Sequence, residues 1–399
     1  KIYPQGSDGG VFIGGTGKTA GYYDDDGGSY YGTKFKPTGG DGSAGWERDY
    51  VGPVADEWFG IVADNTVINT TRLQQMVDTF SSCILTSGNI RTDAPVTIRN
   101  YALIQGLGQA VEDVAPTADT ETTRIVGAGA NAIIDNLFSP LSDNRTGKMK
   151  LRDFTVTGDF PGTVANAYCL YFRGSQRISL DHVTAAWATE ASVYIAAGIA
   201  NEINNCQVRY SEKIGLHLDL AADGLAASYN AYMTNIMGGT YSQNANANIQ
   251  LDSSTVNVNL RGVDIESAGN YYPTGDGFGL YMSLEANSVT VDGCWFENNK
   301  IHLVIGDNVS ASPSTNTIPR NIHVVNNEFW SYRGTCDIKI NAGKEVVIEN
   351  NRFLGSNKKI ILGHYADTPV IRHNIGQIDV EDGNGNLVII DNKSKVNNF

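Results

Sequence analysis

Two glutamates and an aspartate, Glu266, Glu297 and Asp264, fall in two copies of one short pattern. The copies are Leu260-Arg-Gly-Val-Asp-Ile-Glu266 and Val291-Asp-Gly-Cys-Trp-Phe-Glu297. Positions four and six are apolar, so positions five and seven face away from a core. Stacked as layers about 4.8 Å apart, the copies set Glu266 and Glu297 one above the other, with Asp264 beside them. Three carboxyl groups that close resist simultaneous ionisation, and one pKa must rise. A protonated carboxyl next to a charged one supplies the proton donor and the base or nucleophile that glycoside hydrolysis requires, roles expected of Glu266 and Glu297 with Asp264 tuning or assisting. Trp295 and Tyr241, both read as outward at position five, would offer flat faces to sugar rings. Gln243, Tyr281, His302, Arg209 and Tyr272 complete the expected substrate-binding set. His302 and His217 are placed outward on a neighbouring strand. β-Elimination is the rival enzyme chemistry, with Lys213, His217, His302 or Tyr281 as base. Adhesion to a glycan without cleavage would use the same aromatic surface. The expected cofactor set is empty, and no metal site is expected.

The elements that must position these residues are repeats. Further copies of the pattern begin at Leu151, Leu180, Ile203, Met237, Val325, Ile348 and Ile371. Starts are separated by about 23 residues, or by that plus an insertion, which marks a solenoid. Its third position is Asp153, His182, Asn205, Gly239, Gly262, Gly293, Asn327, Asn350 or His373, types that tolerate a left-handed corner between strands. A second alternating strand follows each copy, as in Ile214/Leu216/Leu218, and a third precedes it, as in Val256/Val258/Leu260. Three strands per coil predict an all-β chain, a right-handed single-stranded parallel β-helix. Residues 69–80 read as an amphipathic helix plugging its N-terminal end, with Asn69 or Thr70 as the cap. Residues 1–53, rich in Gly, Tyr and Asp, are expected to be a small irregular neck. The β-helix is assigned to 54–375, and 376–399 to strands that close it. Insertions at 219–229, 268–277 and 306–319 are expected to wall a groove around the coils of Asp264 and Glu297.

Composition agrees. The chain has 399 residues, 44 of them Gly and 19 Tyr, and only 18% are charged, which excludes a helical bundle or coiled coil. A net charge of −14 disfavours a nucleic-acid partner. No apolar run reaches the roughly 18 residues of a membrane span. Five cysteines without a CxxC pair read as core fillers. The first residue is Lys1, so a fragment or processed form is expected.

The segment Val54-Ala-Asp-Glu-Trp-Phe-Gly-Ile-Val-Ala-Asp64, the helix after it, Gly88-Asn-Ile-Arg91, Gly106-Leu-Gly108 and Arg124-Ile-Val126 resemble the opening of pectate-lyase-like β-helices. Within that superfamily the layout resembles bacteriophage tailspikes, the depolymerases of capsule or O-antigen, over residues 54 to about 375. The resemblance implies a homotrimer in the virion tail, extracellular, held by phage tail or baseplate proteins. It also implies a bacterial surface polysaccharide as substrate and endoglycosidase activity.

Overall fold

The computed structural model describes residues 12–16, 34–35, 43–48, 52–99, 101–109, 122–129, 131–136, 146–159, 166–220, 231–252, 255–283, 285–307, 318–332, 334–356, 358–376, 378–382 and 388–390. Much of the predicted insertions at 219–229 and 306–319 lies outside them. Phe12–Gly15, Lys34–Phe35 and Gly45–Arg48 make a small antiparallel sheet. From Val54 onward every described strand pairing is parallel, and the chain returns to the same wall once per coil. The fold is a right-handed parallel β-helix, the hand that parallel crossovers take.

Three walls enclose the core. Face I contains Gln207–Arg209, Thr240–Ser242, Asp264–Glu266, Trp295–Glu297 and Glu328–Ser331 in register. Face II follows it in the chain and contains Ala191–Ala196, Ile214–Asp219, Ala247–Leu251, Phe278–Met282 and Ile301–Ile305. Face III contains Tyr232–Met237, Val256–Arg261, Asn287–Asp292 and Arg320–Val325. Alternation decides which side chains enter. Val258, Leu260, Val289, Val291, Ile322 and Val324 are all fully buried. Phe296, Phe329 and Phe353 stack through the core at 4.8 and 4.9 Å, the rung spacing itself.

Face III turns into face I through a residue in the left-handed region. Asp153, His182, Asn205, Gly262, Gly293, Asn350 and His373 have φ between 50° and 63°, as the sequence predicts. Two coils differ by one position: the corner residues aligned with these are Gly238 and Asn326, so those copies begin at Ile236 and Val324. Inside this corner runs a file of asparagines. Cys294 N–H donates to Asn327 Oδ1 at 2.8 Å, Asn327 N–H to Asn351 Oδ1 at 2.9 Å and Asn351 N–H to Asn374 Oδ1 at 2.9 Å.

Helix α1, Thr70–Thr79, covers the N-terminal end with Leu73, Met76 and Val77 buried. Gln74 finishes the edge strand Val96–Ile98: its Nε2 donates to Thr97 O at 2.9 Å, and its Oε1 accepts from Thr97 N at 2.7 Å. Such pairing removes the open edge that a solenoid end presents. Asn69 does not cap α1 with its side chain. Its amide is spent on Val62 and Val67 instead.

Candidate functional site

Strand register brings Asp264 beside Trp295 and Glu266 beside Glu297 on adjacent rungs of face I. Ile265 and Phe296 between them are fully buried, so the acids point out of the core. Asp264 is pushed up to about 7, first by burial and then by the charges of Glu266 and Glu297, against the opposing pull of Arg209. Its Oδ1 is buried and receives no hydrogen bond. Glu297 is held by two donors, Trp295 Nε1 at 3.1 Å and Asn298 Nδ2 at 3.3 Å. Trp295 is 37% exposed and stacks on Trp330 with centroids 5.3 Å apart and planes 24° apart. Trp330 Nε1 in turn donates to Glu328 Oε2 at 3.2 Å. The result is an indole shelf beside three carboxyl groups, one of them with its pKa pushed up to about 7.

A buried polar file fixes this strand from behind, where face I turns into face II. Asn244 Nδ2 donates to Asn248 Oδ1 at 2.9 Å, and Asn248 Nδ2 donates to Glu266 O at 2.8 Å. Asn299 Nδ2 donates to Ile265 O at 2.8 Å, and Asn299 Oδ1 accepts Ala268 N–H at 2.9 Å. The backbone on both sides of the Glu266 side chain is therefore tied to fully buried amides.

Several expected site residues lie elsewhere. Tyr241 is not a sugar platform. It aligns with Ile265, points inward and is fully buried, because its coil begins one residue earlier than the pattern suggests. Thr240 takes the outward place, and the same slip turns Phe329 inward and Glu328 outward. Gln243 sits past the strand end at a left-handed corner, φ 62°. His302 is not outward. It is fully buried at the bend entering face II, between Asn299 Nδ2 and Ser331 Oγ, and burial drives its pKa down to about 3. Arg209 stays on face I, two rungs from Glu266. Tyr272 lies in the turn after face I, where its hydroxyl donates to Tyr210 O at 3.3 Å. Tyr271 in the same turn is edge-on to Trp187 and Tyr210, which stack at 4.4 Å.

Tyr281 belongs to face II, donating to Asp307. Of the expected groove walls, residues 268–277 lead from face I into face II, and most of 219–229 and 306–319 lies outside the described residues. Face II carries its own constellation. His217 Nε2 lies 2.6 Å from Asp252 Oδ2, which also accepts from Gln250 Nε2 at 2.8 Å. Tyr194 Oη donates to Asp219 Oδ2 at 2.9 Å. One ligand-capable atom from each of His217, Asp219 and Asp252 lies within 4.8 Å of the others. Burial raises Asp219, partly offset by His217 and Tyr194. Burial acts the same way on Asp252, but hydrogen bonding and charge from His217, with Gln250 and Ser283, outweigh it and leave that carboxyl low. The sequence reading singled out His217 but not its partners. The signal available was the outward His-x-Asp in one coil with Gln-x-Asp in the next.

No protein-family model matches the chain, and no curated protein sequence matches it. Solved structures do. A tailspike protein, gp49, from Acinetobacter baumannii bacteriophage Fri1, described as a capsular polysaccharide depolymerase, matches with TM-score 0.64 at 13% identity, over 96% of this chain and 71% of that one. The surface adhesin PfbA of Streptococcus pneumoniae matches with TM-score 0.59 at 13% identity, over 87% and 89%. The enzymatically active domain of bacteriophage CBA120 tailspike protein 2 matches with TM-score 0.52 at 14% identity. This chain is covered over 98% there but spans 55% of that domain. The fold is the one these proteins share. Tailspikes and an adhesin both use it, so chemistry must be argued from the side chains.

Proposed function

We propose that the chain cleaves a bacterial surface polysaccharide by acid–base hydrolysis on face I. The observation that carries this reading is Asp264, raised to about 7 between Glu266 and Glu297 beside the exposed Trp295. Asp264 donates the proton to the departing glycosidic oxygen. Glu266 or Glu297 acts as base toward water or as nucleophile, while Trp295 and Trp330 receive a sugar ring. The charge of Arg209 tempers the rise of the acid. This reassigns the donor role from the glutamates to the aspartate. The depolymerase named among the structural neighbours supports a polysaccharide substrate. A homotrimer in a phage tail belongs to the same reading.

The test is release of reducing ends from purified capsule or O-antigen of candidate hosts. Asp264→Asn, Glu266→Gln and Glu297→Gln should each lower the rate by about 100-fold or more with folding unchanged. Wild-type release by all three variants removes the assignment. Polymer binding without any drop in viscosity, by the unmodified chain, would mean adhesion in place of cleavage.

A further inference from the structure

Face III carries a groove that the chemistry on face I leaves unused. Its volume is about 780 Å³, within the range of ligand-sized sites. It begins at the strand Ile199–Asn204, which pairs with Tyr232–Met237, and runs over five rungs to Arg320–Val325. The backbone shapes it. Ala200, Met233, Asn257, Ser288 and Asn321, each second in its strand, have φ between 54° and 57°. Left-handed backbone strains Ala, Met and Ser, and a bend at the same place in every rung makes a trough. A file of outward side chains lies along it in register: Glu202, Asn235, Asn259, Thr290 and His323. Its ionisable members stand at the two ends. The three rungs between them line the groove with amides, hydroxyls and the exposed Met233. At the corner beyond, Arg261 and Asp292 pair with each other at 3.5 Å. The polar groups are ordered in advance. Asn259 Nδ2 donates to Asn235 Oδ1 at 3.0 Å, and Asn287 Oδ1 accepts from Ser288 Oγ at 3.1 Å and Asn321 Nδ2 at 3.2 Å. The first of these bonds leaves Asn235 Nδ2 and Asn259 Oδ1 to offer to a ligand.

We propose that face III is a non-catalytic binding groove for an uncharged stretch of glycan lying along the solenoid axis. Amides and hydroxyls meet sugar hydroxyls as donor and acceptor alike. The lining repeats once per rung, about every 4.8 Å, close to the advance per ring of an extended glycan. Successive sugars therefore meet equivalent side chains. An anionic polymer is disfavoured, because the middle rungs hold no cation to receive it. A peptide strand has no edge to join, since these strands are paired on both sides. A second copy of the same face fits poorly, because two troughs cannot fill one another. With no aromatic ring in the middle rungs, hydrogen bonds supply the hold. Each contributes modestly, so affinity grows with the number of sugars engaged. Face III turns into face I through one left-handed corner, so polymer held here lies one wall away from Asp264. The groove binds whether or not face I cleaves.

The experiment is affinity electrophoresis and calorimetry of the full chain with dextran, mannan and a linear neutral glucan, and with alginate as the anionic control. The expected result is that at least one neutral polymer retards the chain, and that its longer oligosaccharides bind more tightly than its shorter ones. Asn235→Ala combined with Asn259→Ala, and separately Thr290→Lys, should each weaken that binding about tenfold. Trp295→Ala and Glu266→Gln should leave it unchanged. Thermal melts confirm that the variants fold, and Thr290→Lys only adds bulk at an outward position. No retardation by any neutral polymer overturns the groove. So does binding that is unchanged in both groove variants, or lost in Trp295→Ala. Retardation by alginate alone overturns the class of ligand. A smaller assembly of Thr290→Lys in sedimentation would make face III a contact between copies and overturn the glycan site. Groove-dependent retardation without cleavage of any polymer leaves this site standing while hydrolysis on face I falls. Cleavage that depends on Glu266, with no groove-dependent binding, does the reverse.

Discussion

Asp264 and Tyr241 show how much one side chain's direction decides. Asp264 is outward, and its raised pKa sets a pH dependence. The donor form is present below about 7 and is lost above it. Cleavage on face I should therefore fall about tenfold per pH unit on the alkaline side. Asp264→Asn should abolish that alkaline limb along with most of the rate. A pH–rate profile checks both. Tyr241 aligns with Ile265 and faces the core, and its buried hydroxyl has no hydrogen-bond partner. Tyr241→Phe should then stabilise the fold by about 1 kcal/mol and leave cleavage untouched. Urea unfolding and a rate assay suffice. A loss of affinity for oligosaccharide in that variant would restore the platform role that its position in the repeat suggests. Trp295 carries the opposite expectation. Trp295→Ala should weaken oligosaccharide binding about tenfold, read by calorimetry on an inactive background.

At the scale of strands and corners, the buried amides behind face I make the site rigid. Asn299 reaches Ile265 O and Ala268 N on either side of the Glu266 backbone. Asn299→Ala strands both groups inside the protein, and about 2–3 kcal/mol of stability should be lost. As a positioning residue it should lower kcat about tenfold with little change in KM, because its amide holds backbone behind the strand and not the sugar platform. An equal loss in both constants would mean general softening. This file also marks the limit of sequence reading. Period, three-strand coil, left-handed corners and helical plug were all legible, since alternation and Asn/Gly chemistry act locally. Two phases were not. Ile236-Met237 and Val324-Val325 each place two apolar residues where the corner is counted. Solvent-facing Met237, 45% exposed, hid the true start. A one-residue slip swaps the faces of a strand, so Tyr241 and Phe329 were assigned outward. His302 was missed differently. Gly279, the residue aligned with it on the previous rung, leaves room at the bend, and a Cβ there would lie 2.5 Å from His302 O. Neither the bend nor the Asn299 partner has a signature within one strand. Asp264, Glu266 and Glu297, by contrast, lay in two copies whose phase was unambiguous.

The solenoid as a whole answers to pH through the groups it encloses. His302 and Asp337 are both fully buried, with His302 Nε2 3.6 Å from Asp337 Oδ1. Burial drives the aspartate up to about 7 and the histidine down to about 3. The signs oppose each other. Asp337 contributes stability that is full below its ordinary 3.8 and lost as pH rises through about 7. His302 contributes stability that is full above its ordinary 6.5 and lost as pH falls through about 3. Between these limits the two slopes nearly cancel, which flattens the stability of this region across mildly acidic pH. Asp337→Asn removes one slope and exposes the other. At pH 4 the variant and the wild type should be nearly equal, because both carry a neutral group there. At pH 8 the variant should be the more stable by up to about 4 kcal/mol, the value of a three-unit shift. That figure already contains the hydrogen bonds from Ser331 and the Lys359 N–H, which hold the Asp337 carboxyl below where burial alone would put it. Urea unfolding at the two pH values measures the difference directly. A variant less stable than wild type at pH 8 would show that the charged carboxyl, once formed, holds its coils together better than a neutral amide does.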